Sequence, residues 1–325
     1  MKITLTGGLG LIGHNVVLRL LDLGHEVSIT DTQTNYGIVP QEEMDYLMTE
    51  RRNMLSEVTS RCHRIDISDR EGIDWMIRIY QPDTVIHLAS FPRQKVVNAN
   101  PQVGSRTMSE GLLNLCEASK RYGVDKFVYV SSSMVYGDFG DQVQEDAPCY
   151  PQGQYGIMKL AGEWLVRDYT RCGSFDHVII RPSAVYGPRD VEDRVVSRFM
   201  LSAMRDQTLK VNGPNESLDF TYVDDVADGI VSAALKSQAN NKTYNITRGR
   251  SHTLLDAANL AVRIAGRGRV EIQDRDPNFP SRGALNITAA RRDLGFDPQV
   301  DIEEGFQRYY EWIANSVYWS KKTVS

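Results

Sequence analysis

The segment Thr6-Gly7-Gly8-Leu9-Gly10-Leu11-Ile12-Gly13 constrains this chain more than any other stretch. It follows the β-rich run KITLT and opens a helical stretch that continues to Leu23, so glycines at 7, 10 and 13 fall in a strand-to-helix turn. Glycine there permits a tight turn, lets backbone approach a phosphate and allows close packing of helix on strand, while the helix N-terminus faces the negative charge. The second β-rich run, EVSIT, ends at Asp31, where a carboxylate accepts hydrogen bonds from the adenosine ribose and repels a 2′-phosphate. The pattern predicts a dinucleotide site favouring NAD over NADP. Its candidate contacts are Gly7, Gly10, Leu11, Ile12, Gly13 and Asp31; then Asp66 and Ile67 after the third run, with Asp66 near the adenine amino group; and Leu88, Ala89 and Ser90 after the fourth. The plain alternative for Asp31 is an aspartate that only caps a turn.

Further runs continue the alternation: RCHRID, TVIHLA, KFVYVSS and HVIIRP, with helical stretches through LLNLCEASKR and from about Tyr155. Strands too apolar to have a wet face, alternating with helices, predict an α/β protein with a doubly wound parallel sheet, the Rossmann arrangement, whose ligand lies beyond the carboxyl ends of the strands. Gly24 and Gly123 follow helical stretches where a positive φ is needed and are read as caps. Residues 32–60 form a long excursion between the second and third runs, with a helix in QEEMDYLMTERRNMLSEV, read as a surface insertion reaching the active-site mouth. The dinucleotide-binding domain is assigned to 1–181, with a return at about 220–250, and a smaller mixed, mainly helical substrate-binding lobe to 182–325. That lobe is helical from about His252 to Ala314, and the closing SVYWSKKTVS has no clear period and is expected to fray.

Composition narrows the function. Formal net charge is −5 over 325 residues, so no global positive field draws in nucleic acid or an anionic membrane. The N-terminus lacks a signal-peptide pattern and no apolar run reaches the roughly 18 to 20 residues of a membrane helix, so a soluble cytoplasmic protein is expected. Cys62, Cys116, Cys149 and Cys172 form no CxxC pair and the six histidines no HxH or HExxH, so no disulfide framework or metal site is indicated.

A serine-rich strand end, Ser131-Ser132-Ser133-Met134-Val135-Tyr136-Gly137, precedes Tyr155-Gly156-Ile157-Met158-Lys159. Tyr155 and Lys159 at i and i+4 share one helix face. A free phenol titrates near pH 10, and a neighbouring ammonium with a positive nicotinamide ring brings it towards neutrality, where it serves as general base. A strand-end serine then donates to the substrate oxygen.

With these motifs the chain resembles the extended short-chain dehydrogenase/reductase family, in its nucleotide-sugar epimerase and dehydratase group. The resemblance runs through TGGLGLIG, Asp31, VIHLAS, SSSMVYG, YGIMK, RPSAVYGPRD, DFTYVDDVADG and RGALNITAARRDLGF. It implies NAD as cofactor, a nucleotide-sugar substrate, a homodimer built on the helix at 112–121 and the one carrying Tyr155, and Ser132, Tyr155 and Lys159 as catalytic residues. Sugar 4,6-dehydratases of the group carry an Asp-Glu pair where this chain has Ser133 and Met134, so the resemblance is closest to the 4-epimerases, with Ser133 and Met134 at the sugar. A net oxidoreductase or decarboxylase on a nucleotide sugar, and a dinucleotide-sensing regulatory protein, are the alternatives.

The chain departs from the family at Ala184, where an asparagine is usual, at Leu218, where an arginine is usual, and at Thr107, again in place of asparagine. The first two remove diphosphate contacts. Arg282, Arg189 and Arg198 are candidates to supply them, and Arg93 is a candidate contact for an anionic sugar. His87 and Tyr136 are read as packed residues, and Asp224 with Asp225 as helix caps.

Overall fold

A computed structural model describes residues 1–91, 93–277 and 279–323. Its main sheet is built from β1 (Lys2–Thr6), β2 (Glu26–Thr30), β3 (Cys62–His63), β4 (Thr84–His87), β5 (Lys126–Val130) and β6 (Asp176–Arg181). The chain then adds β7 (Val185–Tyr186), β8 (Thr208–Asn212), β9 (Ser217–Leu218) and β10 (Thr221–Tyr222) outside that sheet, returns to it with β11 (Lys242–Asn245), and leaves again for β12 (His252–Thr253) and β13 (Arg269–Gln273). The sheet order is β11-β6-β5-β4-β1-β2-β3, with all neighbours parallel. The order reverses between β1 and β4, and a crevice opens beyond the carboxyl ends of strands at such a point.

Apolar strands let the sheet bury both faces. Ile86, Val128 and Val130 enter one core, whereas Val85, Phe127 and Tyr129 of the same strands enter the other. Residues two apart along a strand share a face, and here both faces are apolar. The helices in chain order are α1 (Leu11–Asp22), α2 (Gln41–Met54), α3 (Arg70–Tyr80), α4 (Gln94–Ala99), α5 (Pro101–Ser105), α6 (Gly111–Tyr122), α7 (Gln154–Arg171), α8 (Val195–Met204) and α9 (Val223–Leu235). α9 shares the first core with β1, β2 and α1, and α3 and α6 share the second. Gly24 and Gly123 hold φ of +76° and +70° just past their helices, where only glycine is free of strain.

The last segment carries α10 (Leu254–Ala265), α11 (Thr288–Leu294), α12 (Ile302–Asn315) and α13 (Val317–Thr323). A separate core joins α8, α10 and α12 with β8 and β9. α10 opens on a capping box, with Thr253 and Asp256 bonding each other's backbone. Among the described residues no helix is long and apolar enough to cross a membrane.

Three sequence expectations are corrected. The third run keeps only Cys62 and His63 in the sheet, because beyond them Arg64 and Asp66 stand exposed at the sheet edge. Asp224 and Asp225 lie in the first turn of α9, but neither caps it: Asp225 accepts the backbone N–H groups of Gln299 (2.9 Å) and Val300 (3.1 Å), and Asp224 faces Arg19 at 3.8 Å. The closing segment does not fray over 317–323. It is α13, held by Trp319, only 1% exposed, and by Tyr318 stacked on Tyr46 of α2 with ring centroids 5.0 Å apart. Large aromatics anchor a helix too short to show a period.

Trp319→Ala is expected to cost about 3 to 5 kcal/mol, the usual range for truncating a buried aromatic, when wild type and variant are compared by urea unfolding. A loss under about 1 kcal/mol, the size of an ordinary surface change, would show that α13 is not docked in solution.

Candidate active site

The glycine turn sits at the reversal between β1 and β4. Gly7 has φ +72°, and a Cβ there would lie 2.7 Å from the Ala89 nitrogen; a Cβ at Gly13 would lie 2.1 Å from the Gly7 carbonyl oxygen. The turn is thus packed down against residues 88–89 and under the start of α1. Gly10, the N-cap of α1, has no side-chain cap, and a Cβ on it would meet only the Gly7 oxygen, at 3.2 Å. The first-turn amides of Leu11, Ile12 and Gly13 therefore rise beneath open space, as an anionic diphosphate requires.

Asp31 stands at the end of β2. One carboxylate oxygen accepts the Leu9 N–H (3.0 Å) and the other the Gln33 N–H (2.8 Å). Burial raises its pKa, and those two amides oppose the rise. The acid therefore braces the turn and keeps further lone pairs for a ribose. Asp66 is exposed and accepts from the amide (2.9 Å) and hydroxyl (2.8 Å) of Ser68, while Ile67 is buried beneath Gly111 of α6. The Leu88 N–H donates to the Thr6 carbonyl (3.0 Å) and the Ala89 N–H to the Thr6 hydroxyl (3.3 Å), so residues 88–90 run beside the turn. His87 is packed below, 2.7 Å from that hydroxyl through Nδ1, and burial lowers its pKa to about 3.

The second half of the site lies past β5. Ser132 opens a short 3₁₀ turn and its hydroxyl accepts the Met134 N–H at 3.2 Å. α7 begins at Gln154, so Tyr155 is on its first turn and Lys159 one turn on. The Lys159 ammonium donates to the Val130 carbonyl (2.8 Å) and lies 5.9 Å from the Tyr155 ring centre. Ser132 and Ser90 both face the Tyr155 phenol and favour its ionised form. The structure thus brings Ser132, Tyr155, Lys159 and Ser90 together at the ends of β4 and β5.

The electrostatics differ from the expectation that Lys159 would bring the phenol towards neutrality. Burial raises the Tyr155 pKa, and the main charge opposing it is the Arg194 guanidinium. Lys159 is itself so desolvated that its pKa falls to about 7, against which the negative Glu163 acts. Glu163, one turn further along α7, is fully buried and receives Arg181 through both oxygens (2.9 and 2.7 Å) and the Ser131 hydroxyl (2.6 Å). Arg181 also donates to the Tyr136 hydroxyl (2.8 Å), which donates to Asn245 (2.8 Å). Tyr136 is accordingly a packed member of this network.

On the substrate side, the Ser133 hydroxyl donates to that of Ser183 (3.2 Å) and Met134 is buried. Arg93 pairs with Asp193 at 2.6 Å, and its Nη2 is buried without a partner. Arg189 donates to His14 Nε2 on α1 (3.3 Å). Arg282 is half-buried, with its Nε enclosed and without a partner, and burial lowers its pKa to about 10. Arg198 stands exposed on α8 between buried Ser197 and Phe199. Sequence reasoning missed Arg194, which lies in the aperiodic run VEDRVVS and carries no local signal. Among the described residues no group of His, Cys, Asp and Glu could hold a metal ion.

A doubly wound sheet, a glycine cradle open above Gly10 and a Ser-Tyr-Lys cluster at its switch point define a dinucleotide-dependent enzyme fold. Residues 3–247 match the NAD dependent epimerase/dehydratase family, and the chain belongs to it, with NAD as its cofactor. It is 27% identical to YtcB of Bacillus subtilis, described as an uncharacterized UDP-glucose epimerase, over 97% of this chain and 98% of that one. It is equally 27% identical to a dTDP-glucose 4,6-dehydratase of Neisseria meningitidis, over 100% and 96% of the two chains. Its structure resembles the UDP-glucuronic acid 4-epimerase of Bacillus cereus, solved with UDP-glucuronic acid and NAD, with a TM-score of 0.87 at 28% identity over 96% and 98% of the chains.

The Lys159 pKa gives a pH signature. Below about pH 7 the folded and unfolded chains both carry the proton. From there to about pH 10 only the unfolded chain holds it, so stability rises with pH through that window. In nucleotide-free protein, urea unfolding across the window is expected to show a smaller rise for Lys159→Met than for wild type; equal slopes would contradict the assignment.

Proposed function

We propose that the protein is a nucleotide-sugar 4-epimerase. The observation that carries this reading is the pair following Ser132: Ser133 bonds Ser183 and Met134 is buried and apolar, so neither does the acid–base work by which water is removed across C5 and C6. NAD held there would supply the hydride acceptor and donor for chemistry at C4. Tyr155 takes the proton from the C4 hydroxyl and later gives it back, Ser132 donates a hydrogen bond to the same oxygen, and Lys159, fixed by the Val130 carbonyl, holds the nicotinamide ribose. The 4-keto sugar turns over in the site before re-reduction, so inversion at C4 needs no net change in cofactor.

Gly7, Gly10, Leu11, Ile12 and Gly13 would hold the dinucleotide diphosphate, Asp31 the ribose and Asp66 the adenine. For the sugar nucleotide, the enclosed, unpartnered Nε of Arg282 suits a diphosphate oxygen, with Arg189 and Arg198 as further contacts. The unpartnered Nη2 of Arg93 favours a second reading, in which an anionic sugar is the substrate and a net oxidation or decarboxylation follows. Homodimerisation through α6 and α7 is supported by exposed Leu113, Ile157 and Trp164, the last 64% exposed.

Purified protein incubated with UDP- and dTDP-linked sugars is expected to give the C4 epimer with no net rise in NADH absorbance; stoichiometric NADH without epimer would overturn the epimerase reading in favour of the second. Tyr155→Phe is expected to lower kcat by about 10²- to 10⁴-fold, the span of general acid–base catalysis, with NAD still bound. Sedimentation of Trp164→Glu should show monomers where wild type is dimeric.

A further inference from the structure

The insertion between β2 and β3 is not part of the chemistry, yet its helix α2 grips both halves of the site. Arg51 of α2 is buried at 3% exposure. Its Nη1 donates to the Leu9 carbonyl in the glycine turn (2.8 Å), and its Nη2 donates to the Arg189 carbonyl in the segment 187–194. Leu9 is thereby held on both sides, its N–H by Asp31 and its C=O by Arg51. A second contact runs from the same helix, where the Glu43 carboxylate accepts the Glu192 N–H at 2.7 Å. The segment so gripped also leans on α1: the Arg189 side chain donates to His14 Nε2, and Nδ1 of that ring donates to the Gly10 carbonyl (2.8 Å).

This segment carries strain and charge. Arg189 has φ +68°, a left-handed conformation that a bulky residue keeps only when its surroundings impose it, and here a buried guanidinium holds its carbonyl. Arg194, at the far end, faces the Tyr155 phenol. Within the same buried cluster the Nε of Arg51 and one oxygen of Asp190 are both without partners.

We propose that Arg51 is a positioning residue that couples the dinucleotide turn to segment 187–194, so that filling the cofactor site orders the segment facing Tyr155. The coupling acts through one guanidinium bonded to two carbonyls, Leu9 on the cofactor side and Arg189 on the substrate side. It requires only that NAD binds.

Hydrogen–deuterium exchange of residues 187–194, with and without NAD at concentrations that fill the site, tests this on wild type, Arg51→Met, Arg51→Lys and Leu47→Ala. Leu47 is a fully buried α2 residue whose truncation weakens the helix without touching either carbonyl. NAD is expected to slow exchange of the segment about tenfold in wild type and in Leu47→Ala, a normal size for coupling between sites, and less than twofold in Arg51→Met. By reciprocity the NAD Kd rises about tenfold in Arg51→Met. Undiminished NAD protection in Arg51→Met, no protection in wild type, or an equal loss in Leu47→Ala would each overturn the proposal. If Arg51→Met does not fold, Arg51→Lys carries the test: it keeps the charge but cannot span both carbonyls, so full protection there overturns it as well.

Discussion

The pair Glu163–Arg181 is what the rest of the site depends on. It joins α7 to β6 with both carboxylate oxygens engaged and neither side chain more than 3% exposed. Taking one partner from such a buried pair leaves an uncompensated charge and costs on the order of 3 to 5 kcal/mol. The pair also fixes the roll of α7 about its own axis, because Glu163 lies two turns beyond Tyr155 and one beyond Lys159, on the same face. The Ser131 hydroxyl bonds the same carboxylate, tying the strand end to the helix. Ser132 is therefore set against Tyr155 by a contact neither of them makes.

Burial then sets the protonation states. The phenol of Tyr155 is pushed up, the amine of Lys159 is pushed down to about 7, and both shifts have desolvation as their largest cause. Each charge near them opposes that trend, Arg194 at the phenol and Glu163 at the amine. Free tyrosine and lysine titrate close together, so these opposite shifts drive their proton affinities apart, the separation that gives neighbouring groups distinct acid and base roles. The two stabilising charges come from different parts of the chain, so the balance is a property of the assembled fold.

This division explains what was legible in the sequence. The glycine turn, Asp31 and the Tyr155–Lys159 spacing act over a few residues of one strand or helix, and their periods survive in the linear text. The sheet follows from apolar runs that bury both faces. Arg51, Arg194 and the Glu163–Arg181 pair act through contacts between elements far apart in the chain, Arg51 with Arg189 for one, and no local pattern marks them. The same holds for Asp225, which looks like a cap and serves instead as an anchor for residues 299–300. In α13 two aromatics do the holding over seven residues, fewer than a helical period needs to declare itself.

The substrate end follows the same logic in reverse. Leu218 is buried in the second-lobe core and Ala184 packs against it, so the positions where relatives were expected to place polar phosphate contacts here contribute apolar packing. Next to Leu218, Asp219 is buried and accepts the N–H groups of Gly249 (3.2 Å) and Leu285 (3.1 Å). Leu285 lies three residues after Arg282, so the acid beside the missing arginine tethers the segment that carries another one. In the proposed reading, the diphosphate contact has moved from a strand residue to a tethered loop, where the Nε of half-buried Arg282 is enclosed and has no partner. Taking a charged donor out of water is a large cost of pairing it with an anion, and at that nitrogen the fold has met part of it before any ligand arrives.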